Sequence, residues 1–152
     1  MSVEGIYNAI LINENLLTAG QPTEEQLRAV AAEGFARVIN LAPFDPGRSL
    51  PDEAGLVRSL NMEYINIPVI WTDPKPSDFE AFEKAMSQTL NAKTLVHCMA
   101  NFRVTAFYAL YAQKHLGWSG AQADTFRARI WQGSDYPIWE AFIARTKATF
   151  AP

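Results

Sequence analysis

Cys98, the only cysteine of the chain, is followed within a few residues by Arg103 and Thr105. A thiolate is a strong nucleophile, and the planar fork of a guanidinium can hold two oxygens of a tetrahedral anion. A hydroxyl close by can donate to the sulfur when the sulfur leaves in a second step. These are the side chains that phosphoryl transfer through a covalent cysteine intermediate requires. The segment 97–105 is therefore the candidate reactive loop.

The position of this segment suits an anion site. Leu95 and Val96 indicate the end of a buried strand, and residues 102–116 have the composition of a helix, so Cys98 to Asn101 would form the turn between them. A strand-to-helix turn directs several backbone N–H groups and the positive end of the helix dipole at one point, which favours a thiolate. The N–H groups expected around a bound anion belong to Met99, Ala100, Asn101, Phe102 and Arg103.

Apolar runs and turn residues predict alternating strands and helices over the first two thirds of the chain and helices alone in the last third. Strands are expected at residues 8–17, 36–42, 63–69 and 94–97, and helices at residues 23–33, 52–60, 77–90, 102–116, 119–131 and 136–150. This order predicts an α/β fold with a central, mostly parallel sheet of four to five strands flanked by helices. Cys98 would then lie beyond the carboxyl ends of the strands, where ligands bind to such sheets.

The composition limits the classes of partner. A chain of 152 residues with 49% hydrophobic content suits one domain over residues 1–152. A net charge of −3 with scattered Lys and Arg argues against nucleic-acid binding, and no apolar run approaches the length of a membrane span. The first residues lack the features of a secretory signal, so we expect a cytoplasmic protein. The sequence does not indicate the oligomeric state.

The segment His97-Cys98-x4-Arg103 resembles the phosphate-binding loop of the cysteine-dependent protein tyrosine and dual-specificity phosphatases, whose signature is His-Cys-x5-Arg-Ser/Thr. In this chain one residue fewer separates the cysteine from the arginine. Thr105 nevertheless keeps the distance from Cys98 that the hydroxyl residue of the family has.

The run Ala100-Asn101-x-Arg103 is similar to a bacterial branch of dual-specificity-like phosphatases, some of which are fused to beta-lactamase-hydrolase-like proteins. Residues 19–23, 38–41 and 64–68 resemble further segments of that branch. The resemblance therefore covers most of residues 17–117 and implies a phosphotyrosine-phosphatase-like fold.

The resemblance implies a phosphoric monoester hydrolase that works through a cysteinyl-phosphate intermediate without a metal or other cofactor. Cys98 would be the nucleophile, Arg103 and the loop amides would cradle the phosphate, and Asp73 in the Pro-rich loop after the third strand would be the general acid. His97 would support the loop, and Gln21 would line the site or position the attacking water.

Each candidate also has a purely structural interpretation. Cys98 can be a small buried apolar residue, Arg103 can form a surface salt bridge, and Asp73 can be an exposed loop aspartate. Asp78 is the rival general acid, although it more readily stabilises a helix start. Three aromatic residues could flank an aromatic ligand, although aromatics at this spacing usually belong to the core: Trp71, Phe102 and Tyr108.

Three functional classes stay open. The first is a phosphatase that acts on phosphotyrosine or another phosphorylated protein or small molecule, and the second is a non-catalytic module that binds an oxyanion or phospho-ligand. The third is a sulfurtransferase that carries a persulfide on Cys98. The chain has only two histidines, and His115 has no partner pattern, so we expect no metal site.

The shortened spacing predicts a specific loop geometry. On an unchanged helix, moving an arginine by one position turns its side chain by about 100° and away from the phosphate. A tighter turn would correct this if the helix began one residue sooner and Asn101 adopted the left-handed conformation usually given to glycine. We therefore expect Arg103 to face the anion, with fewer amides and weaker activity than is usual in the family.

Overall fold

A strand-rich first half and a helical last third form one α/β structure in the computed structural model, which describes residues 3–88, 92–132 and 135–150. A short 3₁₀ helix, Val3–Gly5, precedes the regular elements. The strands are β1 Ile10–Asn13, β2 Leu16–Ala19, β3 Arg37–Asn40, β4 Glu63–Asn66 and β5 Thr94–His97. The helices are α1 Glu24–Ala32, α2 Glu53–Ser59, α3 Pro76–Ser87, α4 Phe102–His115, α5 Gly120–Ala128 and α6 Pro137–Lys147.

The five strands form one sheet in the order β1-β2-β5-β3-β4, in which only β1 runs antiparallel to its neighbour. The last residues of three parallel strands are in register, because His97 pairs with Ala19 on one side and with Asn40 on the other. The segments that follow β2, β3 and β5 therefore meet at one edge of the sheet. The predicted mostly parallel sheet flanked by helices is confirmed.

The prediction of a single strand over residues 8–17 is wrong, because the chain folds back there into a hairpin. The N–H of Asn15 donates to the side-chain oxygen of Asn13 at 2.8 Å, and Ile10 pairs with Thr18. Asparagine stabilises turns through hydrogen bonds of this kind, and the Asn13-Glu14-Asn15 run was the signal for the turn.

The predicted helix starts agree with the structure to within a residue. Thr23 and Gln26 form a capping box at the start of α1, and Ser119 and Gln122 form one at the start of α5. The helix predicted over residues 77–90 begins at Pro76, and its predicted last two residues lie outside the described part of the chain. No helix of the described ranges is both long and apolar enough to cross a membrane.

Two apolar clusters pack on opposite faces of the sheet, because successive strand residues such as Leu95 and Val96 belong to different clusters. The cluster on the Leu95 face is mainly aliphatic and packs against α1 and α2. The cluster on the Val96 face is rich in aromatic rings and packs against α3 to α6, through residues that include Phe82, Phe107, Trp139 and Phe142.

Candidate active site

The turn that connects β5 to α4 consists of residues 98–101, with the nucleophile candidate as its first residue. Asn101 is the N-cap of α4 and has left-handed backbone angles, φ 68° and ψ 12°. Its side-chain amide donates to Asn8 O at 2.8 Å and to Thr18 Oγ1 at 3.2 Å. The tight turn predicted from the shortened spacing is therefore present, and two hydrogen bonds to other segments fix it.

The carbonyl oxygens of the turn are all held by groups behind it. The side chain of Asn8 donates to Ala100 O at 3.0 Å, and the N–H of Gln21 donates to Met99 O at 3.0 Å. The carbonyl of Cys98 accepts from Nδ1 of His97 at 3.1 Å. These contacts orient the peptide groups so that their N–H ends face the other way.

The N–H groups of Met99, Ala100 and Asn101 donate to no acceptor within the residues that the structure describes. Phe102 and Arg103 are the first two residues of α4. The N–H groups in the first turn of a helix have no carbonyl partner within the helix. Five consecutive N–H groups are therefore available for an anion.

Cys98 is buried at the floor of a cavity of about 550 Å³. Its own N–H donates to Ala19 O at 3.2 Å, which continues the pairing of β5 with β2. The cavity is lined by Pro43, Phe44, Asp45, Pro46, Arg48, Trp71, Cys98, Met99, Ala100, Phe102, Arg103 and Tyr136. This volume is in the range of small-molecule sites.

Arg103 lines the same cavity, and its guanidinium lies close enough to Cys98 for the two side chains to interact. Burial lowers the pKa of the Arg103 guanidinium, the Cys98 charge opposes this effect, and the charge of Arg48 lowers the pKa further. Nε of Arg103 is buried without a hydrogen-bond partner, and Cζ lies 5.6 Å from the ring centre of Trp71. The arrangement leaves a buried cation with a free donor beside the sulfur, which favours binding of an anion.

His97 lies behind the turn and is fully buried with Glu53, the first residue of α2. Its Nε2 is 2.6 Å from a carboxylate oxygen of Glu53, whose other oxygen accepts from Gln21 Nε2 at 2.8 Å. Burial would raise the pKa of Glu53, but the charge and hydrogen bond of His97 and the hydrogen bond of Gln21 hold it below the ordinary value. Glu53 is therefore ionised. The two ring nitrogens of His97 face the carbonyl of Cys98 and the carboxylate of Glu53.

The sequence did not indicate Glu53 as a member of the site. An acidic residue in the first turn of a helix is common, because it favours the helix dipole, so its type and position carried no functional signal. Gln21 was predicted to line the site or to position the attacking water. Its side chain belongs to this network, and Gln21 lines a neighbouring depression together with Arg48, Met99 and Ala100.

The hydroxyl of Thr105 is directed at the backbone, not at the sulfur. It is fully buried, lies 2.7 Å from Asn101 O and 3.1 Å from Phe102 O, and accepts a hydrogen bond from Trp131 Nε1 at 3.0 Å. Thr105 is not among the residues that line the cavity. In this arrangement it holds the first turn of α4 in place, and its predicted donation to the sulfur would require the hydroxyl to turn.

The structure does not bring Asp73 to the cavity. Its side chain is 64% exposed, and its nearest charged partner is Lys75, at 3.7 Å. Asp78 accepts from the backbone N–H of Lys75 at the start of α3, which is the structural role that we expected for it. Asp45, which the sequence did not single out, is the only carboxyl group among the described residues that line the cavity.

One wall of the cavity belongs to a cluster of aromatic rings. Trp71 is its centre, with ring centres of Phe102, Trp131, Tyr136 and Trp139 between 5.1 and 5.9 Å away. Phe102 stacks on Trp131 at 5.2 Å with an angle of 2° between the planes. Two of the three aromatic residues that could flank a ligand according to the sequence, Trp71 and Phe102, therefore line the cavity.

Tyr108 does not belong to this cluster or to the cavity. Its ring packs against Tyr111, Trp118 and Phe126, and Tyr108 lines a separate depression near the amino-terminal end of β5.

No protein-family model matches the sequence. A beta-lactamase hydrolase-like protein of Xylella fastidiosa is 33% identical over 102 residues, which make up 65% of this chain and 23% of that protein. The chain therefore spans less than a quarter of the length of this curated relative.

Solved structures match over nearly the whole chain. A "putative phosphatase (DUF442)" from Shewanella putrefaciens CN-32 has 36% identity and a TM-score of 0.87, over 99% of this chain and 97% of that chain. TpbA of P. aeruginosa, solved in complex with pTyr, shares the fold with a TM-score of 0.73 and 12% identity, over 94% of this chain and 85% of that chain. The chain belongs to the same family as the Shewanella DUF442 putative phosphatase, and it has a protein tyrosine phosphatase-like fold.

Proposed function

We propose that residues 1–152 form a phosphatase domain that hydrolyses phosphoric monoesters through a cysteinyl-phosphate intermediate. The observation that carries this proposal is the presence of Cys98 and Arg103 in one cavity, beside five free N–H groups of the loop. A nucleophile, a cation and a ring of donors at one point are the requirements of phosphoryl transfer through cysteine.

In the proposed first step the thiolate of Cys98 attacks phosphorus. Arg103 and the loop N–H groups hold the nonbridging oxygens, on which negative charge is spread in the transition state. The ring of His97, the residue before the nucleophile, supports the loop through its contact with the carbonyl of Cys98. In the second step water attacks the phosphocysteine, which releases inorganic phosphate and restores the thiolate.

The cavity favours an aryl phosphate as substrate. Trp71, Phe102 and Tyr136 form an aromatic wall, and Phe44 lines the same cavity with most of its surface exposed. An aromatic ring attached to the phosphate can pack against these side chains. The complex of TpbA with pTyr is consistent with phosphotyrosine as one such ligand.

A non-catalytic binding module is the second candidate, because the loop is one residue shorter than the family signature. The left-handed angles of Asn101 argue for the phosphatase, since they let the early arginine line the same cavity as Cys98. A sulfurtransferase would use the same cysteine and amides, but it would not need a proton donor above them.

Steady-state hydrolysis of 4-nitrophenyl phosphate by the purified chain tests the proposal, together with acid quenching during turnover to trap the phosphocysteine. We expect turnover and a trapped phosphoprotein. Tungstate binding without turnover would identify a binding module, and transfer of sulfur from thiosulfate to cyanide would identify a sulfurtransferase.

A further inference from the structure

The proposed hydrolysis requires a proton donor above the sulfur, because an alkoxide or phenoxide leaves slowly without a proton. The donor must lie in the cavity that Cys98 and Arg103 share. Among the described residues that line this cavity, Asp45 is the only one with a carboxyl group.

The loop after β3 fixes the Asp45 carboxyl group in a defined orientation. Asp45 Oδ1 accepts from the N–H of Gly47 at 2.9 Å, and the backbone N–H of Asp45 donates to Ser49 Oγ at 2.8 Å. The carbonyl oxygen of Asp45 accepts from the N–H groups of Arg48 and Ser49. The loop is therefore held by four hydrogen bonds around this one residue.

The second carboxylate oxygen of Asp45, Oδ2, is left for a substrate. Its nearest charged partner is Nε of Arg48, at 3.8 Å, and the side chain is 44% exposed. Asp45 therefore has one oxygen anchored to its own loop and one oxygen free to carry a proton.

We propose that Asp45, and not Asp73, is the general acid and base of the reaction, a role that rests on the proposed phosphatase function. When the S–P bond to Cys98 forms, the bond between phosphorus and the leaving oxygen breaks, and that oxygen takes its electron pair and the proton of Asp45. In the second step the Asp45 carboxylate takes a proton from the attacking water. The S–P bond then breaks, and its electron pair returns to Cys98 as the thiolate.

The two other carboxyl groups considered for this role do not fit it. Asp73 lies outside the cavity and beside Lys75, and Glu53 lies behind the loop, where His97 and Gln21 occupy both of its oxygens. Tyr136 lines the cavity and is the remaining group with an acidic proton.

Substitution of Asp45 by Asn separates proton donation from loop structure, because the amide oxygen can still accept from Gly47. The purified Asp45→Asn chain is compared with wild type on phenyl phosphate, a poor leaving group, and on 4-nitrophenyl phosphate, an activated one. We expect a loss of kcat of about 10²–10⁴-fold on phenyl phosphate and a much smaller loss on 4-nitrophenyl phosphate. Asp45→Glu retains an acid and should recover part of the lost turnover.

Asp124→Asn is the matched control, since it makes the same chemical change on the exposed side of α5, where the side chain is 60% exposed. It should leave both rates at the wild-type level. Tungstate binding by Asp45→Asn shows that the loop is intact. Tyr136→Phe is measured in parallel.

If the wild type is active, three results would overturn the assignment of Asp45 without affecting the proposed function. The first is an equal loss of kcat on both substrates in Asp45→Asn. The other two are a leaving-group-dependent loss in Asp73→Asn and such a loss in Tyr136→Phe. A wild-type chain that hydrolyses neither substrate would overturn the proposed function, and the role of Asp45 with it.

Discussion

The two sides of the turn at residues 98–101 differ in how their backbone groups are satisfied. On the side of β2 and α2, every carbonyl of Cys98, Met99 and Ala100 accepts a hydrogen bond from the protein. On the cavity side, the N–H groups of Met99, Ala100 and Asn101 have no partner among the described residues, and Nε of Arg103 has none either. We call these the loop back and the loop front.

This difference shows how the turn is prepared for an anion. Donors that are already aimed at one point need no reorganisation when charge develops there, and this is what makes such sites effective. The hydrogen bonds of the loop back hold the peptide groups in place. In the proposed reaction the donors of the loop front contact the phosphate. Substitutions at the front should therefore change activity, whereas substitutions at the back should change stability.

The largest effect is expected from Cys98→Ser at the loop front. We expect hydrolysis of 4-nitrophenyl phosphate to fall to the level of the buffer blank, because a hydroxyl without a base is a poor nucleophile. Tungstate binding, measured by titration calorimetry, should persist because the N–H groups are unchanged. Unchanged turnover would show that Cys98 is not the nucleophile.

Arg103→Lys should have the next largest effect. A point charge cannot replace a two-pronged contact, and loss of one donor at an oxyanion site typically costs about 10²–10³-fold in kcat. Steady-state kinetics on 4-nitrophenyl phosphate measure this loss. Arg28→Lys is the matched control, since Arg28 pairs only with Glu24 on the surface of α1. Near-normal turnover in Arg103→Lys would show that the guanidinium does not hold the phosphate.

At the loop back, Glu53→Gln should reduce the free energy of unfolding by about 1–3 kcal/mol at neutral pH, because the buried ring of His97 loses its charged partner. The folded-state pKa of Glu53 is lowered, so its contribution is complete above the unfolded glutamate pKa of about 4.3 and is lost as the pH falls through the folded value. Urea unfolding at several pH values measures this. If the free energies of unfolding of wild type and Glu53→Gln differ by the same amount at neutral pH and at pH 3, Glu53 does not stabilise the fold as a carboxylate.

The smallest effect is expected at Asn101, where two substitutions distinguish the backbone conformation from the side-chain hydrogen bonds. Asn101→Ala and Asn101→Gly both remove the hydrogen bonds to Asn8 and Thr18. Only alanine is strained by a φ of 68°, so we expect the alanine variant to be less stable than the glycine variant by about 1 kcal/mol. Equal urea midpoints would mean that the left-handed angle is not required.

Local signals predicted the parts of the fold that local interactions determine. The capping box of Thr23 and Gln26, the cap at Ser119 and the strand before Cys98 all follow from residues within a few positions of one another. The left-handed backbone of Asn101 was also predicted locally, from the number of residues between Cys98 and Arg103. The hairpin at Glu14 was missed because the apolar residues on either side continued the pattern of one strand.

The rest of the site depends on contacts between distant residues. His97 and Glu53 are 44 positions apart, and Trp131 lies 26 positions from the Thr105 hydroxyl that it contacts. Asp73 and Asp45 both follow parallel strands, so residue spacing alone does not predict which of the two loops lines the cavity of Cys98. That choice depends on how each loop is held, and Asp45 is held by its own hydrogen bonds with Gly47 and Ser49.

The aromatic wall makes the site optically observable. The chain has four tryptophans, and three of them belong to one cluster around Trp71, whose ring lies 5.6 Å from the Arg103 guanidinium. A bound oxyanion draws that cation toward itself and so changes the electric field at the Trp71 indole. Intrinsic fluorescence can therefore report occupancy of the phosphate position directly, without a chromogenic substrate and in variants that no longer turn over.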